Sequence, residues 1–171
     1  NSEFWGIAWR DSKVYAFNED AGNNVDFWRG PIDADGVIGF AKEEDDIDAG
    51  TIIQGPIWDD EGHIWIVVED GAEGAAWEST DDGANWTQLF GSAGVTLPAN
   101  HRLLAVAPMG SGGDMMAIVS DDGSNDTDEW LWDKSGGTLT YVRKIDDADN
   151  WEGVQVGQDA SYNTYLLITY A

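Results

Sequence analysis

A chain of 171 residues is long enough for one domain with its own core, and a hydrophobic share of 42% with ten Trp marks it as globular, not disordered. Its 33 acidic residues against eight basic ones give a formal charge of −25, which argues against nucleic acid and anionic membrane surfaces as partners, because no basic patch exists to neutralise phosphates. With no Cys there is no disulfide or thiol chemistry, and no apolar run is long enough for membrane insertion.

The apolar segments in chain order read as strands. Phe4–Trp9 (FWGIAW), Val14–Phe17 (VYAF), Val25–Trp28 (VDFW) and Val37–Ala41 (VIGFA) are rich in β-branched and aromatic residues and are separated by Asp, Gly, Asn and Ser. The series then restarts with Thr51–Trp58 (TIIQGPIW), His63–Val68 (HIWIVV), Ala75–Trp77 (AAW) and Trp86–Phe90 (WTQLF). A third round follows in Leu103–Ala107, Met115–Val119, Glu129–Trp132 and Leu139–Val142, and a fourth begins with Trp151–Val156 and Thr164–Thr169. Equivalent residues recur at near-constant spacing: Trp9 to Trp58 is 49, Tyr15 to Trp65 is 50 and Trp28 to Trp77 is 49. No segment carries a helical apolar stripe of useful length. Four strands per repeat of about fifty residues predict an all-β chain, a β-propeller of four-stranded antiparallel blades. The expected units are 1–46, 47–97 and 98–147, with a partial one at 148–171, about three and a half blades in all.

One motif stands out within this repeat. The stretch WESTDDGANW, Trp77 to Trp86, places Ser79, Asp81, Gly83 and Trp86 in the pattern S-x-D-x-G-x-x-W. It resembles the Asp-box, or BNR repeat, of sialidase-like propellers. In that family the box is the turn between the third and fourth strands of a blade, away from the catalytic centre, and here it falls between AAW and WTQLF. The resemblance implies a fold-holding turn. Asp can accept turn N–H groups, Gly admits a backbone closed to other residues, and Trp packs between sheets. Degenerate versions stand at 30–36 (GPIDADG) and 133–137 (DKSGG).

The residues for sialidase-like catalysis are thin. Such a site needs three Arg on a carboxylate and an activated Tyr, and the chain has only Arg10, Arg29, Arg102 and Arg143, on different units. With 33 carboxylates, some pair will always suit a two-acid glycosidase, so that criterion decides nothing. No G-x-S-x-G elbow is present, and His63 and His101 read as edge or loop residues. Calcium is the one cofactor left open, at Asp33 and Asp35, although their loop lacks a full D-x-D-x-D-G ligand array.

The expected function is therefore that of a non-enzymatic recognition or assembly module of an exported, cell-surface or virion protein. Trp5, Trp28, Trp130 and Trp151 flank loops or strand ends and are the candidate stacking platforms for glycans or proteins, with packing between blades as the competing role. Asp outnumbers Glu 23 to 10 and Lys numbers four, a balance that fits a high-salt environment; a calcium-rich or merely acidic exported protein is the alternative. Three and a half blades leave open edges, so partner chains, as a homo-oligomer or a larger assembly, are expected. The competing reading is a fragment of a sialidase-like glycoside hydrolase.

Overall fold

The computed structural model describes residues 3–19, 25–47, 52–68, 73–91, 94–109, 113–123, 127–146, 151–158 and 164–170. These contain no α-helix. Strands β1 (Glu3–Arg10), β2 (Lys13–Glu19), β3 (Val25–Pro31) and β4 (Ala41–Ile47) pair in order as one antiparallel sheet. The second sheet is β5 (Ile52–Trp58), β6 (Ile64–Val68), β7 (Ala75–Ser79) and β8 (Thr87–Phe90). The third is β9 (Arg102–Met109), β10 (Met115–Asp121), β11 (Thr127–Asp133) and β12 (Thr138–Asp146), and β13 (Trp151–Gln158) pairs with β14 (Thr164–Tyr170). Each sheet is a meander, so its connections alternate between two ends. The β1–β2, β3–β4, β5–β6, β7–β8 and β11–β12 turns share one end.

The second strands show why the sheets stack. β6 (IWIVV) is β-branched or aromatic throughout and all five of its residues are buried, so the sheet is covered on both faces. Ile64, Ile66 and Val68 join Tyr15, Phe17, Val25 and Phe27 of the first sheet in one core. Trp65 and Val67 join Leu103, Val106, Met116, Ile118 and Trp132 of the third in another. Each such side chain contributes about 1.5–3 kcal/mol by leaving water. The first strands lie innermost: β1 touches β5, β5 touches β9, and β13 touches both β9 and β5.

The outer strands are polar, and here one expectation needs correcting. The fourth strand of the first sheet is Ala41–Ile47 (AKEEDDI), not Val37–Ala41. Val37 and Phe40 are exposed in the preceding connection, where only the Ile32–Ile38 bridge is strand-like. An outermost strand is hydrogen-bonded along one edge and has much of its surface in water, so the ladder to β3 holds it without an apolar pattern.

Candidate functional site

The turn between β7 and β8 is built from its own side chains. Ser79 Oγ accepts the Gly83 N–H at 2.7 Å, and its hydroxyl donates to Asp81 Oδ1 at 3.0 Å. Asp81 in turn accepts the Asn85 backbone N–H at 2.8 Å and its side-chain amide at 2.6 Å. The Asn85 amide foremost, with the Asn85 backbone N–H and Ser79 adding, holds the Asp81 carboxyl below its ordinary pKa against the opposing effect of burial. Gly83 adopts φ 89°, and a Cβ there would lie 1.8 Å from Phe27 of the first sheet, so no side chain fits. Trp86 packs edge-on against Phe27 at 5.3 Å and Phe17 at 6.0 Å between ring centroids. The four motif residues thus shape a turn and press it into the neighbouring sheet.

The same turn carries an ionic clasp. Asp82 accepts Lys13 Nζ at 2.5 Å and the Tyr15 hydroxyl at 2.8 Å, while Arg29 Nη1 donates to both its carboxylate and its carbonyl at 2.5 Å. Burial alone would raise the Asp82 pKa; the Lys13 and Tyr15 hydrogen bonds and the Arg29 charge outweigh it and hold the carboxyl low. Burial, reinforced by the bond to Asp82, pushes the Tyr15 hydroxyl well above its ordinary value.

One sheet further on, the equivalent seam is occupied differently. Lys134, in the β11–β12 turn, donates to Glu78 Oε1 at 2.5 Å and lies 5.0 Å over the Trp65 ring. Beside Glu78 stand Asp59 and His63, with His63 Nδ1 2.8 Å from Asp59 Oδ2 and 3.5 Å from Glu78 Oε1. Asp59 Oδ1 accepts the Glu61 and His63 N–H groups, which fixes the carboxylate and leaves Oδ2 facing the cluster. This is the one group of three metal-competent side chains among the described residues. His63, read from sequence as an edge or loop residue, lies in the β5–β6 turn.

At the opposite end of the third sheet, His101, Ser120 and Asp128 come together. His101 Nδ1 lies 3.1 Å from Ser120 Oγ and 3.7 Å from Asp128 Oδ2. One nitrogen faces both partners, whereas a proton relay uses the two opposite ring nitrogens. Ser120 is fully buried and accepts Trp130 Nε1 at 2.9 Å, so it is no nucleophile. Trp130 stacks edge-on between His101 (5.3 Å) and Tyr141 (5.1 Å), and Tyr141 is 51% exposed. Burial foremost, then the Asp128 carboxylate, raises the Tyr141 pKa.

The other expected site residues fall as follows. Trp28 is partly buried and donates Nε1 to Asn18 Oδ1 within its own sheet. Trp5 falls in β1 and Trp151 opens β13, and both side chains lie outside the described part of the structure. Asp33 and Asp35 are exposed, and Asp33 Oδ1 is taken up by the Asp35 and Val37 N–H groups. Of the arginines, Arg29 holds Asp82, Arg10 lies over the Trp58 ring and Arg143 pairs with Glu129 on the outer strands of the third sheet.

No family model and no curated protein sequence matches the chain. Among solved structures, a putative TolB from Agrobacterium tumefaciens matches all of this chain and 59% of its own at 16% identity, with a TM-score of 0.60. A puromycin hydrolase matches over 91% of this chain and 24% of its own at 12% identity, TM-score 0.56. An oligogalacturonate lyase in complex with manganese matches over 93% and 47% at 14% identity, TM-score 0.50. The chain spans less than two thirds of each of these structures. The likeness defines the class of protein: the chain has a β-propeller fold of four-stranded antiparallel blades. It bears on the fold alone and leaves kinship with the Asp-box family to the motif itself.

Proposed function

We propose that the chain is an Asp-box-type propeller module that recognises glycans without turning them over, within an exported, cell-surface or virion protein working in high salt. One observation carries the reading. Tyr141 presents a half-exposed ring against Trp130, with Asp128 at the hydroxyl and the Glu129–Arg143 ion pair on the same two strands. An exposed aromatic ring with a carboxylate at its edge suits a sugar, because the apolar sugar face stacks on the ring and the carboxylate accepts from the hydroxyls.

Hydrolase and lyase chains share this fold, so the fold leaves activity open. The candidate catalytic groups speak against turnover: the Ser120–His101–Asp128 arrangement lacks relay geometry, and Arg29 is engaged in a seam between sheets. The reading extends to association with further chains, supported by exposed Ile7 and Trp9 on β1 together with Val37 and Phe40.

An immobilised oligosaccharide set, probed in molar salt with the chain and its Tyr141→Ala variant, tests the proposal. The expected result is saturable binding that weakens at least ~tenfold in the variant, with the fold unchanged by circular dichroism. Binding that survives Tyr141→Ala, or hydrolysis of a fluorogenic sialoside, sinks it. Light scattering in molar salt tests the association: a particle of 18.6 kDa would remove that part of the reading.

A further inference from the structure

We propose that Asp59, His63 and Glu78 bind one divalent transition-metal ion, and that the Lys134 ammonium holds the place in its absence. The three residues are anchored on two adjacent strands and their turn: Asp59 and His63 in the β5–β6 turn, Glu78 near the end of β7, one residue along from the Ser79 that faces Ile64. One ligand atom from each lies within 4.8 Å of the other two. Tetrahedral ligands at ordinary metal distances stand roughly 3.4 Å apart. The His63 Nδ1 separations of 2.8 and 3.5 Å bracket that figure, so closing the site takes only a modest movement of Glu78 relative to Asp59.

Two further observations point the same way. His63 Nδ1 is buried and makes no hydrogen bond, although carboxylate oxygens stand on either side of it. A cation between nitrogen and oxygens would satisfy the Nδ1 lone pair. Gly113, at φ 65°, keeps space open beside the cluster; a Cβ there would come within 3.2 Å of both Asp59 Oδ2 and the Trp65 ring. Asp59 is also oriented as a ligand should be, with Oδ1 bound to two backbone amides and Trp65 Nε1 at 3.5 Å from Oδ2.

Charge favours the exchange. Asp59 and Glu78 are buried, with side chains 1% and 6% exposed, and the Lys134 ammonium is in contact with the cluster. With a neutral imidazole the cluster carries a net −1, and a divalent ion in place of Lys134 brings it to zero. The Lys134 side chain is 25% exposed on a flexible stem, and its departure costs the ion pair to buried Glu78 and the contact over the Trp65 ring, which the divalent charge must offset. One imidazole with two carboxylates suits zinc, manganese, cobalt or nickel; calcium and magnesium prefer oxygen alone.

The test uses the intact chain freed of metal with chelator, titrated at neutral pH with cobalt(II) and followed by visible absorption, with zinc by calorimetry. Calcium in excess occupies the acidic surface throughout. The expected result is one saturable equivalent with cobalt ligand-field bands. His63→Ala should lower affinity at least ~tenfold, and Lys134→Met should raise it by removing the competitor. No saturable binding in either the natural chain or Lys134→Met overturns the proposal. So does binding that His63→Ala leaves unchanged, or that calcium abolishes, because each marks unspecific capture by surface carboxylates. Should His63→Ala fail to fold, the Lys134→Met titration decides alone.

Discussion

Arg29 and Glu78 occupy the same place in consecutive sheets with opposite charge: Arg29 faces Tyr15 across β2–β3, and Glu78 faces Trp65 across β6–β7. Each reaches the third-to-fourth-strand turn of the following sheet, where Arg29 holds Asp82 and Glu78 holds Lys134. The position of the contact is kept and its polarity inverted. An Arg29→Ala, Asp82→Ala double-mutant cycle in urea should therefore show a coupling of about 0.5–3 kcal/mol, the range for residues in one hydrogen-bond and ion-pair network. Additive single effects would mean that the pair contributes nothing to the seam.

Acid should open the first seam. The Asp82 carboxyl is held below its ordinary pKa in the folded chain and relaxes to about 3.9 when unfolded. The stability it contributes is then fully present above about pH 4 and is lost as pH falls through the folded value. Denaturation midpoints between about pH 6 and pH 3 should fall less steeply in Asp82→Asn than in the natural chain. Parallel curves would remove Asp82 from the acid response.

Gly83→Ala should be among the most damaging single substitutions. The new methyl would collide with Phe27, and φ 89° is a backbone that alanine adopts only under strain. Overpacking costs about 1–3 kcal/mol and the left-handed backbone about 1–2 more. A loss under about 1 kcal/mol in chemical denaturation would show that the turn and Phe27 can separate freely.

Salt should stabilise the fold as a whole. A charge of −25 repels itself, and added salt screens exposed carboxylates more than the partly buried Arg29–Asp82 contact. Thermal midpoints should rise between about 0.1 and about 2 M sodium chloride, spanning Debye lengths of roughly 10 Å to under 3 Å. A flat or falling curve would retire the reading of the acidic surface as salt adaptation.

What the sequence made legible follows from where water is excluded. VYAF, IWIVV and MMAIV sit in middle strands, paired on both edges and largely buried, so their apolar runs are unbroken and their spacing is regular. AKEEDDI has no such constraint, and the more apolar VIGFA beside it drew the strand assignment away. The clasp was hidden for another reason: Lys13, Tyr15 and Arg29 meet Asp82 across 53 to 69 residues, a distance that no local window covers. A usable signal was present in the repeat itself. The offset of 50 that aligns Tyr15 with Trp65 aligns Lys13 with His63, and the offset of 49 that aligns Trp28 with Trp77 aligns Arg29 with Glu78, so polar residues at the margins of apolar strands recur nearly in step. Read as lone histidines and scattered arginines, they carried no such pattern.

The second sheet is the floor of one core and the ceiling of the next, with Ile64, Ile66 and Val68 on one side and Trp65 and Val67 on the other. Mechanically it is a party wall. A cavity cut into either face loosens both neighbours, while damage to β2 or β10 is felt mainly across one seam. Opening should then pass from sheet to sheet like the failure of masonry sharing a wall, with the amides of β6 the last to exchange with solvent.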